Sequence, residues 1–190
     1  MQEEPDDWEA QFFSVYFRAM QCKIAGISSA AKSISNCIDS VMELVVHAKM
    51  ESHERFLAVN DICRYCDNAA TVMTNAAISN YWSIDYSIQY KYKSECIDRV
   101  IAAFSIFTVL LNKLVYIFDL SKEELTCAIM FVDDAKRVLS SGSFFWSTTG
   151  YSQMEKLIVS LEEDLEEQRE KKLSSEREKF WGNHKEEKAK

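Results

Sequence analysis

The sequence predicts an all-α protein, an up-and-down bundle of about five or six helices packed around one central apolar helix. Three observations carry that expectation. Glycine and proline number only 4 and 1 among 190 residues, too few for the tight turns that sandwiches and barrels consume. Apolar residues recur at spacings of 3 and 4 along most of the chain, the period of a helix face. The stretch 97–119 goes further, since Val100, Ile101, Phe104, Ile106, Phe107 and Leu110 cover every direction of a helix. A helix that is apolar all round has to be surrounded. Asp98, Arg99, Asn112, Lys113 and Asp119 interrupt it, leaving fewer than the roughly 20 consecutive apolar residues a bilayer requires. It reads as a bundle axis.

Taken in order, Asp6 and Glu9 resemble a capping box that opens a first helix. Trp8, Phe12, Val15, Tyr16 and Ala19 form its apolar face, Phe13, Phe17 and Met20 widen it, and Gly26 ends it. Ile27, Ala31, Ile34, Ile38, Val41, Val45 and Ala48 then alternate spacings of 4 and 3. That seam of about three heptads suits packing inside a bundle better than an independent coiled coil, and its helix is expected to run on toward Phe56. Asn60 and Asp61 offer the next cap, before a small-residue face of Ile62, Tyr65, Cys66, Ala69, Met73 and Ala76. Small residues let helix axes approach closely, so this face is placed against the central helix.

Residues 82–93 leave two readings open. Apolar and polar residues alternate strictly from Trp82 to Lys93, the signature of a half-buried strand. Tyr81, Ile84, Ile88 and Tyr92 also fall at helical spacings. Helix is preferred, because the only strand partner in sight, around Phe144, Phe145 and Trp146, would leave a two-stranded ribbon that is marginal in water.

Ser121 followed by Glu124 is a capping box that ends the connection after the central helix. The helix beyond it turns Leu125, Ala128, Val132, Ala135 and Leu139 inward. Ser140 to Gly150 reads as a loop, either a lid folded on the bundle or an exposed patch. Ser152 and Glu155 suggest another capping box, and Met154, Ile158, Leu161 and Leu165 give the final helix an apolar edge. Thereafter the chain is almost entirely polar. Residues 1–165 are therefore assigned to a helical bundle domain and 166–190 to a charged C-terminal tail, a helix that protrudes or frays.

Chemistry is sparse. Cys63-Arg-Tyr-Cys66 has the spacing of a zinc or redox pair, but no second ligand pair accompanies it and no parallel-sheet pattern surrounds it. These are read as core thiols. Glu43, His47 and Glu51 follow one another at spacings of 4 on one helix face, yet the chain has no Glu-x-x-His of the kind di-iron bundles use. Solvated ion pairing explains them. The four glycines form neither a phosphate loop nor a nucleophile elbow. No catalytic residue, metal or cofactor is expected.

The net charge of −8 argues against nucleic acid and against anionic membrane surfaces. The acidic start MQEEPDDWEA does not look like a signal peptide. With six cysteines spread through a chain able to bury a core, that points to reduced thiols in an intracellular, cytoplasmic or nuclear protein.

The resulting expectation is a non-catalytic protein-protein interaction module, an adaptor, scaffold or complex subunit. Its partner would be another protein, in helical or extended form, and a second copy of the chain is an allowed partner. Candidate contact residues are the aromatics a minimal bundle would not need: Tyr86, Tyr90 and Tyr92, Phe145 and Trp146, and Phe180 and Trp181 in the tail. Two other readings stand beside it. One is a membrane-associating bundle whose central helix enters lipid, and the other an enzyme with a site inside the bundle.

Overall fold

The computed structural model describes residues 7–117, 119–141 and 149–187, and every regular element among them is helical. Six long helices, α1 (Trp8–Met20), α2 (Ile27–His47), α3 (Ser52–Trp82), α5 (Lys93–Ile117), α6 (Lys122–Ser141) and α7 (Thr149–Glu187), are joined by short connections. A single turn, α4 (Tyr86–Gln89), sits between α3 and α5. The all-α bundle expected from the sequence is what the chain forms.

Helix α5 is the axis. It packs against α2, α3, α6 and α7, which is why its apolar residues need no polar face. Val100, Ala103, Phe104, Ile106, Phe107, Leu110, Leu111 and Leu114 are all buried. The Phe107 ring lies 5.5 Å from that of Phe104 and 4.9 Å from Phe131 on α6. By length and composition alone the span Tyr86–Tyr116 could cross a membrane, since it holds an 18-residue window with a mean hydropathy of 1.5. In this fold its inward side chains form the bundle core.

The heptad seam of α2 is an internal one: Ile27, Ala31, Ile34, Ile38, Val41 and Val45 are buried, and α2 packs on α1, α3 and α5. Ser35 Oγ and Ser105 Oγ meet at 3.2 Å across the α2–α5 contact. Helix α3 packs on the axis, and Cys96 near the start of α5 directs its thiol to the Ala77 carbonyl, 3.5 Å away, whereas Tyr65 of the face expected there meets Phe12, Phe13 and Tyr16 on α1 instead.

Several helix ends differ from the sequence expectation. Asp7 is the first cap, its carboxylate accepting the Ala10 N–H at 3.0 Å, and Asp6 lies outside the described residues. Phe17 is exposed, since the face of α1 is narrower than the run of aromatics suggests. Helix α2 does not run on to Phe56: Ala48 turns extended, and α3 starts at Ser52 rather than after Asn60. There Glu54 reaches back to accept the Glu51 N–H at 3.1 Å, a local stop-and-start signal in polar sequence. Because that break separates Glu51 from His47, the Glu43, His47 and Glu51 set does not share a helix face.

Strand pairing over 82–93 is likewise ruled out, as the segment is a helix end, α4, a 3-10 turn at Tyr90–Tyr92 and the start of α5. The axis itself spans Lys93–Ile117 rather than 97–119.

At the other end Ser152 lies inside α7, which already starts at Thr149. A Cβ on Gly150 would come within 2.7 Å of Ile101 Cδ1, so this glycine lets the first turn of α7 rest on the axis. Met154, Ile158, Leu161 and Leu165 are buried as expected. Beyond them α7 continues without a break to Glu187. Its charged half still touches the body, where Gln168 Nε2 donates to the Val115 carbonyl at 2.9 Å and Lys172 Nζ to Asp119 Oδ1 at 2.7 Å.

The Ser121 capping box is present and has a second role. Glu124 N–H donates to Ser121 Oγ at 3.2 Å, and Glu124 Oε2 accepts the Ser121 N–H at 2.6 Å. The same carboxylate takes two hydrogen bonds from Arg55 on α3, Nε to Oε1 at 2.8 Å and Nη2 to Oε2 at 2.7 Å. Glu124 is 0% exposed. Arg55 also donates to the Asp119 carbonyl at 3.3 Å. One side chain thus caps α6 and locks it to the start of α3.

Burial would raise the Glu124 carboxyl, but the hydrogen bonds from Arg55 and Ser121 and the guanidinium charge outweigh it and hold it below its ordinary value. A carboxyl depressed in the folded state stabilises above its unfolded pKa, and that stability is lost as pH falls through the folded pKa. Denaturant midpoints should therefore fall as the buffer is taken from neutrality to below about pH 4. Glu124→Gln should flatten part of that fall, and a profile identical in the two proteins would contradict this role for Glu124.

Candidate interaction surface

The sequence-predicted site residues fall into three groups. Phe145 and Trp146 lie outside the described residues, as do the side chains of Phe180 and Trp181 in the last turns of α7. Tyr86, Tyr90 and Tyr92 lie at the α3–α5 corner and are exposed.

That corner is built by local hydrogen bonding. Helix α3 stops at Trp82, where Ser83 N–H donates to the Ser79 carbonyl at 3.1 Å and Ser83 Oγ to the Asn80 carbonyl at 2.7 Å. Asp85 then starts α4, its Oδ1 accepting from the Ser87 N–H at 2.8 Å and from Ser87 Oγ at 2.6 Å. Those two bonds hold the Asp85 carboxyl below its usual value. Gln89 is buried and its Nε2 donates to the Tyr81 carbonyl at 3.0 Å, tying the corner back to the end of α3.

With the backbone anchored from within, the alternating aromatics have nowhere to go but out. A period of two wound onto helical turns scatters side chains around the axis. Tyr86 is 90% exposed and Tyr90 70%, with Trp82, Ile88 and Tyr92 exposed beside them in sequence. Lys91 Nζ stands 5.9 Å from the Tyr90 ring centre, a cation-π contact. Trp82 and Ile88, which belong to the same alternation but not to the candidate contact residues, are exposed with them.

Elsewhere the bundle offers further clefts among the described residues. A cleft of about 390 Å³ between the start of α1 and the first turns of α3 is lined by Glu9, Glu54 and Asp61 together with Trp8, Met50 and Leu57. Its lining supplies three carboxylates and no Ser, Cys, His, Lys or Arg side chain. Cys63 and Cys66 are both buried in α3. Among the described residues no three His, Cys, Asp or Glu side chains converge as a metal site would require. Comparison with family models, with curated proteins and with solved structures finds no match to this chain.

Proposed function

We propose that this chain is a non-catalytic interaction module, an adaptor or subunit of a larger complex, that presents its aromatic corner to a protein partner. The observation that supports this reading is the exposure of Tyr86 and Tyr90 on a backbone held by Asp85 and by buried Gln89. Tyrosine has few rotatable bonds, so ordering it at an interface costs little entropy, and its ring offers both apolar area and a hydroxyl. A cluster of exposed aromatic residues on an anchored turn is a contact surface ready to be covered. The partner is read as a helical or extended segment with an apolar stripe able to lie across the rings, and basic flanks would suit the net charge of −8.

The test is affinity purification of the full chain from its native source, beside a Tyr86→Ala/Tyr90→Ala double variant. Since both side chains face solvent, the variant should keep its unfolding free energy within about 0.5 kcal/mol per site while losing the partner. A folded variant that retains the whole partner set would overturn the proposal.

A further inference from the structure

The structure gives Cys63 a partner that the CxxC spacing does not suggest. Cys63 on α3 is buried, and Cys127 on α6 is half-buried. The two residues neighbour each other across the α3–α6 packing, close enough for each to act on the other's proton. Asn60 Oδ1 steadies Cys127 by accepting its S–H at 3.5 Å. Both residues line a cleft of about 200 Å³ with Asn60, Arg64, Asp67 and Asp134, several times the roughly 30 Å³ that one water occupies in the liquid. Cys66, three residues along, is fully buried and lines no part of that cleft.

We infer that Cys127 and Cys63 are an oxidisable dithiol, which a hydroperoxide converts into a disulfide joining α6 to α3. The division of labour follows from their surroundings. The neighbouring Cys63 thiol brings the Cys127 pKa below the ordinary thiol value, against burial and the carboxylates of Glu124 and Asp134, so Cys127, the less buried of the two, is the thiol that gives up the proton it otherwise donates to Asn60. Cys63 is raised by Cys127 in turn, by burial and by the neighbouring charges of Cys66 and Asp134, and so keeps its proton. Cys66 is pushed well up by burial and is the poorer nucleophile.

In the first step the Cys127 thiolate attacks one peroxide oxygen, the O–O bond breaks, and a sulfenic acid and hydroxide form. In the second the Cys63 sulfur attacks the sulfenic sulfur, its proton goes to the departing hydroxide, and water leaves. Overall two thiols and one hydrogen peroxide give one disulfide and two waters, a two-electron oxidation. The bond would lie about one helical turn from Glu124 on α6 and about two from Arg55 on α3, adding a covalent tie to the same α3–α6 contact.

The test treats the full-length reduced protein with a modest excess of hydrogen peroxide, then unfolds and alkylates it and maps disulfides by mass spectrometry without reduction. The expected result is a Cys63–Cys127 linked peptide as the main product in monomeric protein, removed by dithiothreitol. Cys66→Ser should leave that product, whereas Cys127→Ser should leave Cys63 open to alkylation. A Cys63–Cys66 linkage, disulfide-linked dimers through Cys127, Cys127 halted at the sulfinic acid beside free Cys63, or no oxidation at all would each overturn the inference. The wild-type map decides without the variants, so a poorly folding substitution does not blunt it.

Discussion

Arg55→Ala should lower the unfolding free energy at neutral pH by about 3–5 kcal/mol, a large share of the roughly 5–15 kcal/mol typical of a single domain. The reason is the asymmetry of the pair. Glu124 is 0% exposed while the Arg55 side chain is 32% exposed. Removing the arginine strands a carboxylate in the interior with only the Ser121 contacts for support. Removing the negative charge instead, as in Glu124→Gln, leaves a guanidinium that water reaches, so that variant should lose less. The cost of Arg55→Ala should also shrink on acidification, because the wild type loses its own advantage when Glu124 is protonated. Denaturant unfolding of both variants at pH 7 and pH 3 gives all of these values. A loss under about 1 kcal/mol for Arg55→Ala would mean the pair behaves as an ordinary surface salt bridge.

Phe107→Ala should cost a similar amount, about 3–5 kcal/mol. Phe107 is 0% exposed and is held between Phe104 on its own helix and Phe131 on α6. Truncation removes the transfer free energy of a benzyl group and leaves a cavity between α5 and α6, the latter fixed to α3 at its first turn by Arg55 and Glu124. Such a site collapses poorly. Phe17→Ala is the control, since that ring is exposed and the change should stay near 0.5 kcal/mol. Equal losses at the two positions would remove α5 from the centre of the fold.

Both predictions rest on contacts between residues far apart in the chain, and that is where sequence reading stopped. The inward faces of α2, α6 and the first part of α7 were legible because a helix repeats every 3.6 residues, so the pattern carries its own direction. The Ser121 capping box was legible for the same reason: its two partners are three residues apart. The break between α2 and α3 was missed because polar residues 48–56 suit the wet side of a helix as well as a turn. Only the Glu54 side chain returning to the Glu51 N–H distinguishes them.

The candidate surface was half legible. Surplus aromatics drew attention to Tyr86, Tyr90 and Tyr92, but alternation in the sequence could not say whether they face a sheet, a core or solvent. That depended on Gln89 being taken inside to meet the Tyr81 carbonyl, which turns its neighbours outward. The CxxC spacing drew attention to Cys63 and to the wrong partner, since sequence spacing reports neighbours along one helix. Cys127 lies on another.

The sequence by itself determined that this chain is helical, that an apolar helix lies at its centre and that most inward faces are where the apolar periodicity puts them, because those properties follow from local geometry and hydrophobicity. Only the tertiary structure decided which helices meet, and with them the Arg55–Glu124 lock, the Cys63–Cys127 contact and the exposure of the aromatic corner. Helix pairing and register arise from packing side chains of many helices at once, and no window of neighbouring residues contains that information.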